Sequence, residues 1–482
     1  MKATSLFLPA LLFVAAPAVA ETLQARVEAT LAKAGPGVRF GLVVATAEGE
    51  ELVAIAPDAR FIPASNTKMF TTAAAFGTLG AVDRPDEAGG ASVRLDREGR
   101  RVPDVVLTGG GDARLSSADD CVTNCLAALA DAVAHETRLV GDVAGDDSLF
   151  PDQRWSPGMS WNNMPFRSGT ATSALSLDDN ELALRVTPGA PGQPPGVEGL
   201  DYYVIDNRAT TRAGGVTALS VDRLPGDDIV RLTGTIAAGG GPETLRLAID
   251  DPAHYAAWRF KSLLEARGVR VLGRVSARHR APGPVDDPAL RGTAPAMRPP
   301  QPPALARLTP PPLLDDLAVT NKVSQNLHAE LLLRRVGRVA GTGSIADGQA
   351  VVRGMMRQAG VPRTAYDLSD GSGMSTYNRL APRGVVTFLR WASAQPWGAA
   401  WRGTLPVGGV DGTLRNRFRG TPLAGRVFAK TGTLNATNAL SGYLVARSGR
   451  TLLFSAFAND VPEGGSAAAR IDAALAQVAE AN

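Results

Sequence analysis

The chain has 482 residues, which is too long for one ordinary hydrophobic core and predicts two or three domains. A hydrophobic fraction of 44% and a charged fraction of 20% exclude a disordered chain and a membrane-embedded one. The formal net charge of +3 comes without a basic–aromatic pattern, so we expect no nucleic-acid partner.

Residues 1–20 have the features of a secretory signal peptide. Lys2 supplies a positive charge, residues 6–16 form a short apolar run, and the small residues 18–20 offer a cleavage site. The apolar run is too short to span a membrane comfortably, and no later run is long enough. We therefore expect an exported protein with no transmembrane anchor.

The next residues predict a short helix and two strands before a longer helix. Residues 22–31 are amphipathic, and residues 38–45 and 52–55 read as strands joined by a turn. After Pro63 comes a long run of helix-forming residues, 69–76. Ser65 therefore lies at the start of a helix.

From about residue 80 the sequence becomes β-rich, with short alternating runs separated by Gly, Asp and Pro. The predicted strands are 102–107, 182–186, 230–236 and 245–249, and the predicted helices are 118–135 and 252–267. Residues 281–312 are rich in Pro and polar residues, which predicts a linker or an extended connection.

After this connection, the pattern predicts helices around residues 313–336 and 345–359. Three consecutive strands follow at 426–430, 439–446 and 451–457, and a helix from about residue 466 ends the chain. Gly341-Thr342-Gly343 reads as a helix entry rather than a nucleotide-binding loop, because no convincing strand leads into it.

Cys121 and Cys125 are the two cysteines of the chain. Two thiols alone make no zinc site, and the spacing is not that of a redox motif. Export permits a disulfide, but the spacing leaves a local disulfide and two free thiols equally open.

Lysine is rare in this Arg-rich sequence. After Lys2 the lysines are Lys33, Lys68, Lys261, Lys322 and Lys430. Lysine can become a base when its pKa is lowered, whereas arginine keeps its proton. Lys68 follows Ser65 by three positions at a helix start, which places a potential nucleophile and its base on one helical face.

Two further motifs come later in the chain. Ser324-Gln325-Asn326, on a predicted helical stretch, supplies a hydroxyl and an amide suited to proton relay and substrate binding. Lys430-Thr431-Gly432-Thr433 ends an apolar strand, where the cation and the hydroxyls can hold a free carboxylate. His328, close to Ser324, is interpreted as a surface or hydrogen-bonded histidine.

The three motifs in this order resemble those of the penicillin-binding proteins and serine β-lactamases. Four longer segments are similar to the D-alanyl-D-alanine carboxypeptidase/endopeptidase family, the class C low-molecular-mass penicillin-binding proteins of peptidase family S13: FIPASNTK at 61–68, LTGGGD at 107–112, DGSGMS at 370–375 and VDGTL at 410–414. The resemblance implies an α+β fold in which helices flank an antiparallel sheet.

The resemblance also implies the roles of the residues in the reaction. Ser65 attacks the carbonyl of the penultimate D-Ala and becomes acylated, with Lys68 as the base. Ser324 passes the proton to the leaving amine, and Asn326 binds the substrate amide. Water then releases the acyl group, and no metal or cofactor is expected.

Substrate binding is implied for the later strand. Lys430, Thr431 and Thr433 hold the terminal carboxylate, and Gly432 lets a substrate backbone approach closely. The backbone N–H groups of Ser65 and Thr433 form the oxyanion hole.

The sequence distance between Ser65 and Ser324 is much longer than in a β-lactamase. The resemblance therefore implies a catalytic domain split between residues 21–80 and 305–482. Residues 81–304 form an insertion of two mainly β subdomains. Some relatives have an Arg that contacts the acidic side chain of the stem peptide where this chain has Thr376, which argues against recognition of a diaminopimelate-like side chain. Asp146, which matches a family position, and Asn435 are the candidate contacts that argue for it.

These motifs predict a periplasmic serine DD-carboxypeptidase, also active as a DD-endopeptidase, with peptidoglycan stem peptides and cross-links as substrates. β-Lactams are expected to acylate it. One alternative is a serine β-lactamase, which the long insertion and the lack of a clear extra deacylating base disfavour. The other is a non-catalytic wall-binding or β-lactam-sensing module, which the complete set of motifs disfavours.

Overall fold

The computed structural model describes residues 22–294, 296 and 302–482, so the predicted signal peptide at 1–20 lies outside the described residues. The helices are α1 (Leu23–Ala32), α2 (Lys68–Thr78), α3 (Leu126–Glu136), α4 (Pro252–Ala266), α5 (Pro288–Arg291), α6 (Leu313–Lys322), α7 (Asn326–Ala340), α8 (Ile345–Gln358), α9 (Pro382–Ser393), α10 (Gly398–Gly403) and α11 (Ala468–Ala481). Among the described residues, no helix is both long enough and apolar enough to cross a membrane.

The first nine strands are β1 (Arg39–Thr46), β2 (Glu51–Ile55), β3 (Ser92–Asp96), β4 (Asp104–Thr108), β5 (Leu139–Val140), β6 (Val143–Pro151), β7 (Glu181–Thr187), β8 (Gly196–Gly199) and β9 (Val204–Asn207). The remaining strands are β10 (Thr210–Arg212), β11 (Ala218–Asp222), β12 (Ile229–Ala237), β13 (Glu243–Ala248), β14 (Arg270–Val271), β15 (Val275–Arg280), β16 (Ala306–Arg307), β17 (Tyr366–Asp367), β18 (Arg379–Leu380), β19 (Val427–Leu434), β20 (Thr437–Val445) and β21 (Thr451–Asn459).

A five-stranded antiparallel sheet joins the two ends of the described chain. Its strand order is β19-β20-β21-β1-β2, so the early strand β1 lies beside the late strand β21. Successive residues of β1 enter different cores: Leu42 packs with α1 and α11, whereas Val43 packs with α2 and α6 to α9. Both faces are covered by helices, which explains the nearly continuous apolar sequence of β21.

Residues 81–304, which we call the insertion, contain smaller sheets. One has the order β15-β6-β4-β3-β16, with β4, β6 and β15 parallel, and its edge strand β16 comes just after the insertion in the sequence. Others have the orders β13-β7-β8 and β10-β12-β11. Most of their apolar side chains, together with those of α3 and α4, form one hydrophobic cluster separate from those on the two faces of the antiparallel sheet. A small further cluster packs Phe150 and Ala174 of the insertion against Leu327 and Leu331 of α7.

Two sequence predictions in the insertion need correction. The helix predicted over 118–135 begins at Leu126, because Cys121 and Cys125 are joined in a disulfide that closes a turn before it. The region 281–312 is not a plain linker, since it contains α5 and β16, and β16 pairs with β3.

A third correction concerns the helices predicted around 313–336. They are α6 and α7, and the chain breaks between them at Ser324, whose φ is +66°. Ser324 and Gln325 therefore lie in a turn rather than on a helix, and Asn326 is the first residue of α7. A positive φ is unusual for a residue other than glycine and turns the chain sharply.

Candidate active site

Ser65 and Lys68 lie on adjoining short elements at one end of the antiparallel sheet. Ser65 is in a 3₁₀ turn, Ala64–Thr67, and Lys68 is the first residue of α2. The Nζ atom of Lys68 lies 2.9 Å from Ser65 Oγ, 2.6 Å from Asn326 Oδ1 and 2.6 Å from the carbonyl oxygen of Ser372. The predicted pair is thus within hydrogen-bonding distance.

Lys68 is completely buried. Burial disfavours the charged amine and lowers its pKa to about 7, although the carboxylates of Asp370 and Glu330 oppose this shift. An amine with such a pKa exchanges its proton near neutral pH, which a general base requires.

A second serine–lysine pair joins the two later motifs. Lys430, on β19, donates from Nζ to Ser324 Oγ at 2.9 Å and to the carbonyl of Thr431 at 3.0 Å. Lys430 is also completely buried, and burial together with the charge of Lys68 lowers its pKa well below the usual value. The other lysines of the described residues are at least partly exposed.

The strand β19 lies at the edge of its sheet and packs against the turn that carries Ser65. A side chain at Gly432 would place Cβ 2.5 Å from the carbonyl oxygen of Pro63, so this close approach requires glycine. Thr431 Oγ1 lies 2.7 Å from Thr413 Oγ1, and the side chain of Thr433 is exposed. Hydroxyls therefore border the two lysines along an accessible edge.

Asn326 connects the site to the insertion. Its Oδ1 accepts from Lys68, and its Nδ2 donates to the carbonyl of Ser168 at 2.7 Å. A cavity beside these groups is lined by Asn326, Ser372 and Met374 and, from the insertion, by Trp155, Met159 and Ser168.

Asp146 and Asn435 lie on different elements. Asp146, on β6, accepts hydrogen bonds from the backbone N–H of Ser148 at 3.0 Å and from Ser148 Oγ at 2.6 Å. Asn435 is exposed in the two-residue turn between β19 and β20. The side-chain hydroxyl of Thr376 donates to the carbonyl of Gly158, a residue of the insertion, at 3.1 Å.

Sequence reasoning did not assign roles to two buried carboxylates behind Lys68. Glu330 Oε1 accepts from the backbone N–H groups of Gly371 and Ser372 at 3.0 and 2.9 Å, which fixes the carbonyl that Lys68 contacts. Burial and the nearby Glu330 raise the pKa of Asp370 to about 6. Glu330 follows Asn326 by four residues and therefore lies on the same face of α7. This spacing is the sequence feature that could have placed Glu330 near the site.

Two serine–lysine pairs at the edge of an antiparallel sheet flanked by helices define a serine peptidase of the penicillin-binding type. A family model described as the D-Ala-D-Ala carboxypeptidase 3 (S13) family matches residues 23–482. A D-alanyl-D-alanine carboxypeptidase from Actinomadura sp. (strain R39) is 35% identical, over 98% of this chain and 88% of the relative. The chain therefore belongs to the D-Ala-D-Ala carboxypeptidase 3 (S13) family.

The fold is also that of solved structures. Penicillin binding protein 4 (dacB) from Haemophilus influenzae superposes with a TM-score of 0.76 at 22% identity, covering 94% of this chain and 97% of that protein. A structure of the same protein complexed with a novel β-lactam has a TM-score of 0.73 at 20% identity, covering 94% and 98%. These matches confirm the predicted α+β fold.

Proposed function

We propose that this protein is a periplasmic serine DD-carboxypeptidase that also cleaves cross-links as a DD-endopeptidase. The observation that carries the proposal is the pairing of each serine with a buried lysine, Ser65 with Lys68 and Ser324 with Lys430. The second pair adjoins an open strand edge, which suits a peptide substrate with a free carboxylate.

In acylation, neutral Lys68 takes the proton of Ser65, and Ser65 Oγ attacks the carbonyl carbon of the penultimate D-Ala. The C–N bond then breaks, and Ser324 relays the proton that Lys68 took from Ser65 to the leaving amine, so that Lys68 is neutral and Ser324 is a hydroxyl again. Asn326, hydrogen-bonded to Lys68, binds the substrate amide. The backbone N–H groups of Ser65 and Thr433 stabilise the oxyanion.

The carboxylate of the leaving D-Ala binds to Lys430, Thr431 and Thr433. Gly432 supports this role, because its lack of a side chain keeps β19 against the serine turn. A cross-link offers the same feature, since the D-centre on its leaving side also carries a carboxylate. The substrate carboxylate favours the charged form of Lys430 and so opposes the burial that lowers its pKa in the free protein, and charge-assisted hydrogen bonds are the strongest available to such a group.

Hydrolysis follows when water attacks the acyl-enzyme. With a β-lactam, Ser65 opens the ring and the amine remains tethered to the acyl group. Ser65 is therefore expected to be acylated by β-lactams, which the β-lactam complex of the similar Haemophilus influenzae protein supports.

The side chain of the stem peptide is expected to contact Asp146 and Asn435. Thr376 stands where some relatives have Arg, so this end of the site has no cation at that position. Export through the predicted signal peptide at 1–20 would bring the enzyme to peptidoglycan in the periplasm.

The experiment is to incubate the mature protein with purified muropeptides, monomeric and cross-linked, and to identify the products by mass. Loss of a terminal D-Ala and separation of cross-linked dimers are expected, and Ser65→Ala should do neither. Unchanged muropeptides with rapid hydrolysis of penicillin would instead indicate a β-lactamase.

Covalent labelling tests the nucleophile separately. A labelled penicillin should map to the peptide that contains Ser65, and Ser65→Ala should not be labelled. A label found on any other peptide would contradict the assignment.

A further inference from the structure

Asp179, a residue of the insertion, contacts the turn that carries Ser324. Its carboxylate accepts a hydrogen bond from Nε2 of His328 at 2.8 Å and one from Nε2 of Gln325 at 3.3 Å. Gln325 directly follows Ser324, and His328 lies in the first turn of α7. The carboxylate therefore holds the segment that comes immediately after Ser324.

His328 is buried between two carboxylates. Its Nδ1 contacts Asp316 of α6, and its Nε2 contacts Asp179. Burial disfavours a charge on the ring, but the two carboxylates outweigh it and raise the pKa of His328 to about 10. The charged ring donates from both nitrogens and so ties α6, α7 and the insertion together around the break at Ser324.

The segment that presents Asp179 has a rare backbone conformation. Asp178, Asp179 and Asn180 have φ values of 51°, 57° and 51°, which residues other than glycine seldom adopt. The two outer side chains hold the segment within the insertion: Asp178 accepts from the N–H of Ser117 at 2.8 Å, and Asn180 donates to the carbonyl of Ala171 at 2.9 Å. The middle residue is left to reach α7.

We propose that Asp179 is a positioning residue for Ser324, acting through His328 and Gln325. This inference rests on the proposed function, in which Ser324 protonates the leaving amine. Without Asp179, the turn is no longer fixed and Ser324 Oγ is not held 2.9 Å from Lys430 Nζ. The effect depends on the leaving group, because an amine must gain a proton as it leaves, whereas a thiolate can leave without one.

The test compares a D-Ala-D-Ala peptide with a thiolester of the same acyl group. Asp179→Asn removes the charge but tolerates a positive φ, and Asp179→Ala also removes the hydrogen-bond acceptor. We expect kcat/KM for the peptide to fall about tenfold or more in both variants and that for the thiolester less than about threefold, since general acid catalysis contributes about 10²- to 10⁴-fold.

The matched control is Asp206→Asn. Asp206 is an ion-paired aspartate on β9 of the insertion, bonded to Arg208 and Arg231, and its loss should leave both rates unchanged. Gln325→Ala removes only the hydrogen bond between Gln325 and Asp179. It should lower kcat/KM for the peptide more than for the thiolester, by a smaller factor than the Asp179 variants, and it tests the inference if those variants do not fold.

Equal losses on the two substrates, or no loss on the peptide, would overturn the inference, because leaving-group protonation would not be involved. A wild-type protein that hydrolyses the thiolester but not the peptide would contradict the proposed function, and the inference would fall with it. Penicillin labelling of Ser65 in each variant verifies that the protein is folded.

Discussion

The chemistry of Lys68 depends on its burial rather than on its position in the sequence alone. An exposed lysine keeps its proton far above neutral pH, whereas burial lowers the pKa of Lys68 to about 7 despite two nearby carboxylates. Lys430 is equally buried but has Ser324 as its partner, so each lysine serves a different serine.

The first prediction is that acylation requires a neutral amine at Lys68. The rate of penicillin acylation should fall as the pH drops below about 7, because the amine is then protonated and cannot accept the proton of Ser65. Lys68→Arg, which keeps the charge but not the basicity, should lose about 10²-fold or more at every pH. Stopped-flow acylation between pH 5 and pH 8 measures both effects.

Lys261→Arg is the control for this substitution. Lys261 forms a surface ion pair with Glu265 on α4, so the Lys261→Arg variant should be acylated at the wild-type rate. Near-normal acylation in Lys68→Arg would mean that the base lies elsewhere.

The second prediction concerns carboxylate recognition by Lys430 and Thr431. A D-Ala-D-Ala peptide amidated at its C-terminus should be cleaved at least about tenfold less efficiently than the free acid, because hydrogen bonds to a charged group contribute about 1.5–3 kcal/mol. Measuring kcat/KM for acid and amide, in wild type and Thr431→Val, gives a double-mutant cycle. Equal cleavage of acid and amide would indicate a general amidase or esterase.

Among the loops, the segment 371–375 is held in place by a glycine. Gly373 has a φ of +90°, and a Cβ there would lie 1.9 Å from the carbonyl oxygen of Ala64. The loop and the serine turn therefore touch through their backbones. Any displacement would also move the carbonyl of Ser372, which accepts from Lys68.

The third prediction follows from this contact. Gly373→Ala should slow acylation and destabilise the protein by about 2 kcal/mol or more, because it adds both a clash and an unfavourable φ. The control is Gly354→Ala in α8, where an added Cβ meets nothing within 4 Å. This substitution should stabilise the protein by about 0.5–1 kcal/mol. Urea unfolding and penicillin acylation rates measure the effects, and similar behaviour of the two variants would contradict the prediction.

Local sequence signals explain why some elements were predicted correctly. Thr22 caps α1, Asp251 caps α4, and Gly268 ends α4 with a φ of +75°. The break at Ser324 has no such signal, since neither Gly nor Pro is present there. The contacts around it come from residues distant in the sequence: Lys430 donates to Ser324, and Asp179 contacts the neighbouring Gln325 and His328.

Across the molecule, the insertion and the residues on either side of it have their own main hydrophobic clusters, and a small cluster joins them where Phe150 and Ala174 of the insertion pack against Leu327 and Leu331 of α7. We propose on this basis that residues 21–80 and 305–482 form the catalytic domain and 81–304 the insertion, with two mainly β subdomains. Asp179 and Ser168 then provide contacts from the insertion to α7.

The fourth prediction uses the charged His328 between these parts. Its folded-state pKa, about 10, lies above its usual 6.5, so the stabilisation is complete below pH 6.5 and is lost as the pH rises towards 10. The destabilisation caused by His328→Asn should therefore be at least about 1 kcal/mol larger at pH 6.5 than at pH 9.5.

Urea unfolding of wild type and His328→Asn at the two pH values measures this difference. Comparing variant with wild type at each pH cancels the contributions of Lys68 and Lys430, which both proteins share. A destabilisation that does not change with pH would contradict a charged His328 in the folded protein.

The motifs, their order and their long separation could be identified in the sequence, because each motif is short and lies beside a local helix or strand signal. These features identified the family, the α+β fold and the three motifs that contain Ser65 and Lys68, Ser324 and Asn326, and Lys430. The sequence did not predict which groups pair. Asn326 contacts Lys68, 258 residues away in the sequence, and Lys430 contacts Ser324, 106 residues away. Only packing of the sheet, α7 and the insertion brings them together, and the same burial gives both lysines their lowered pKa values.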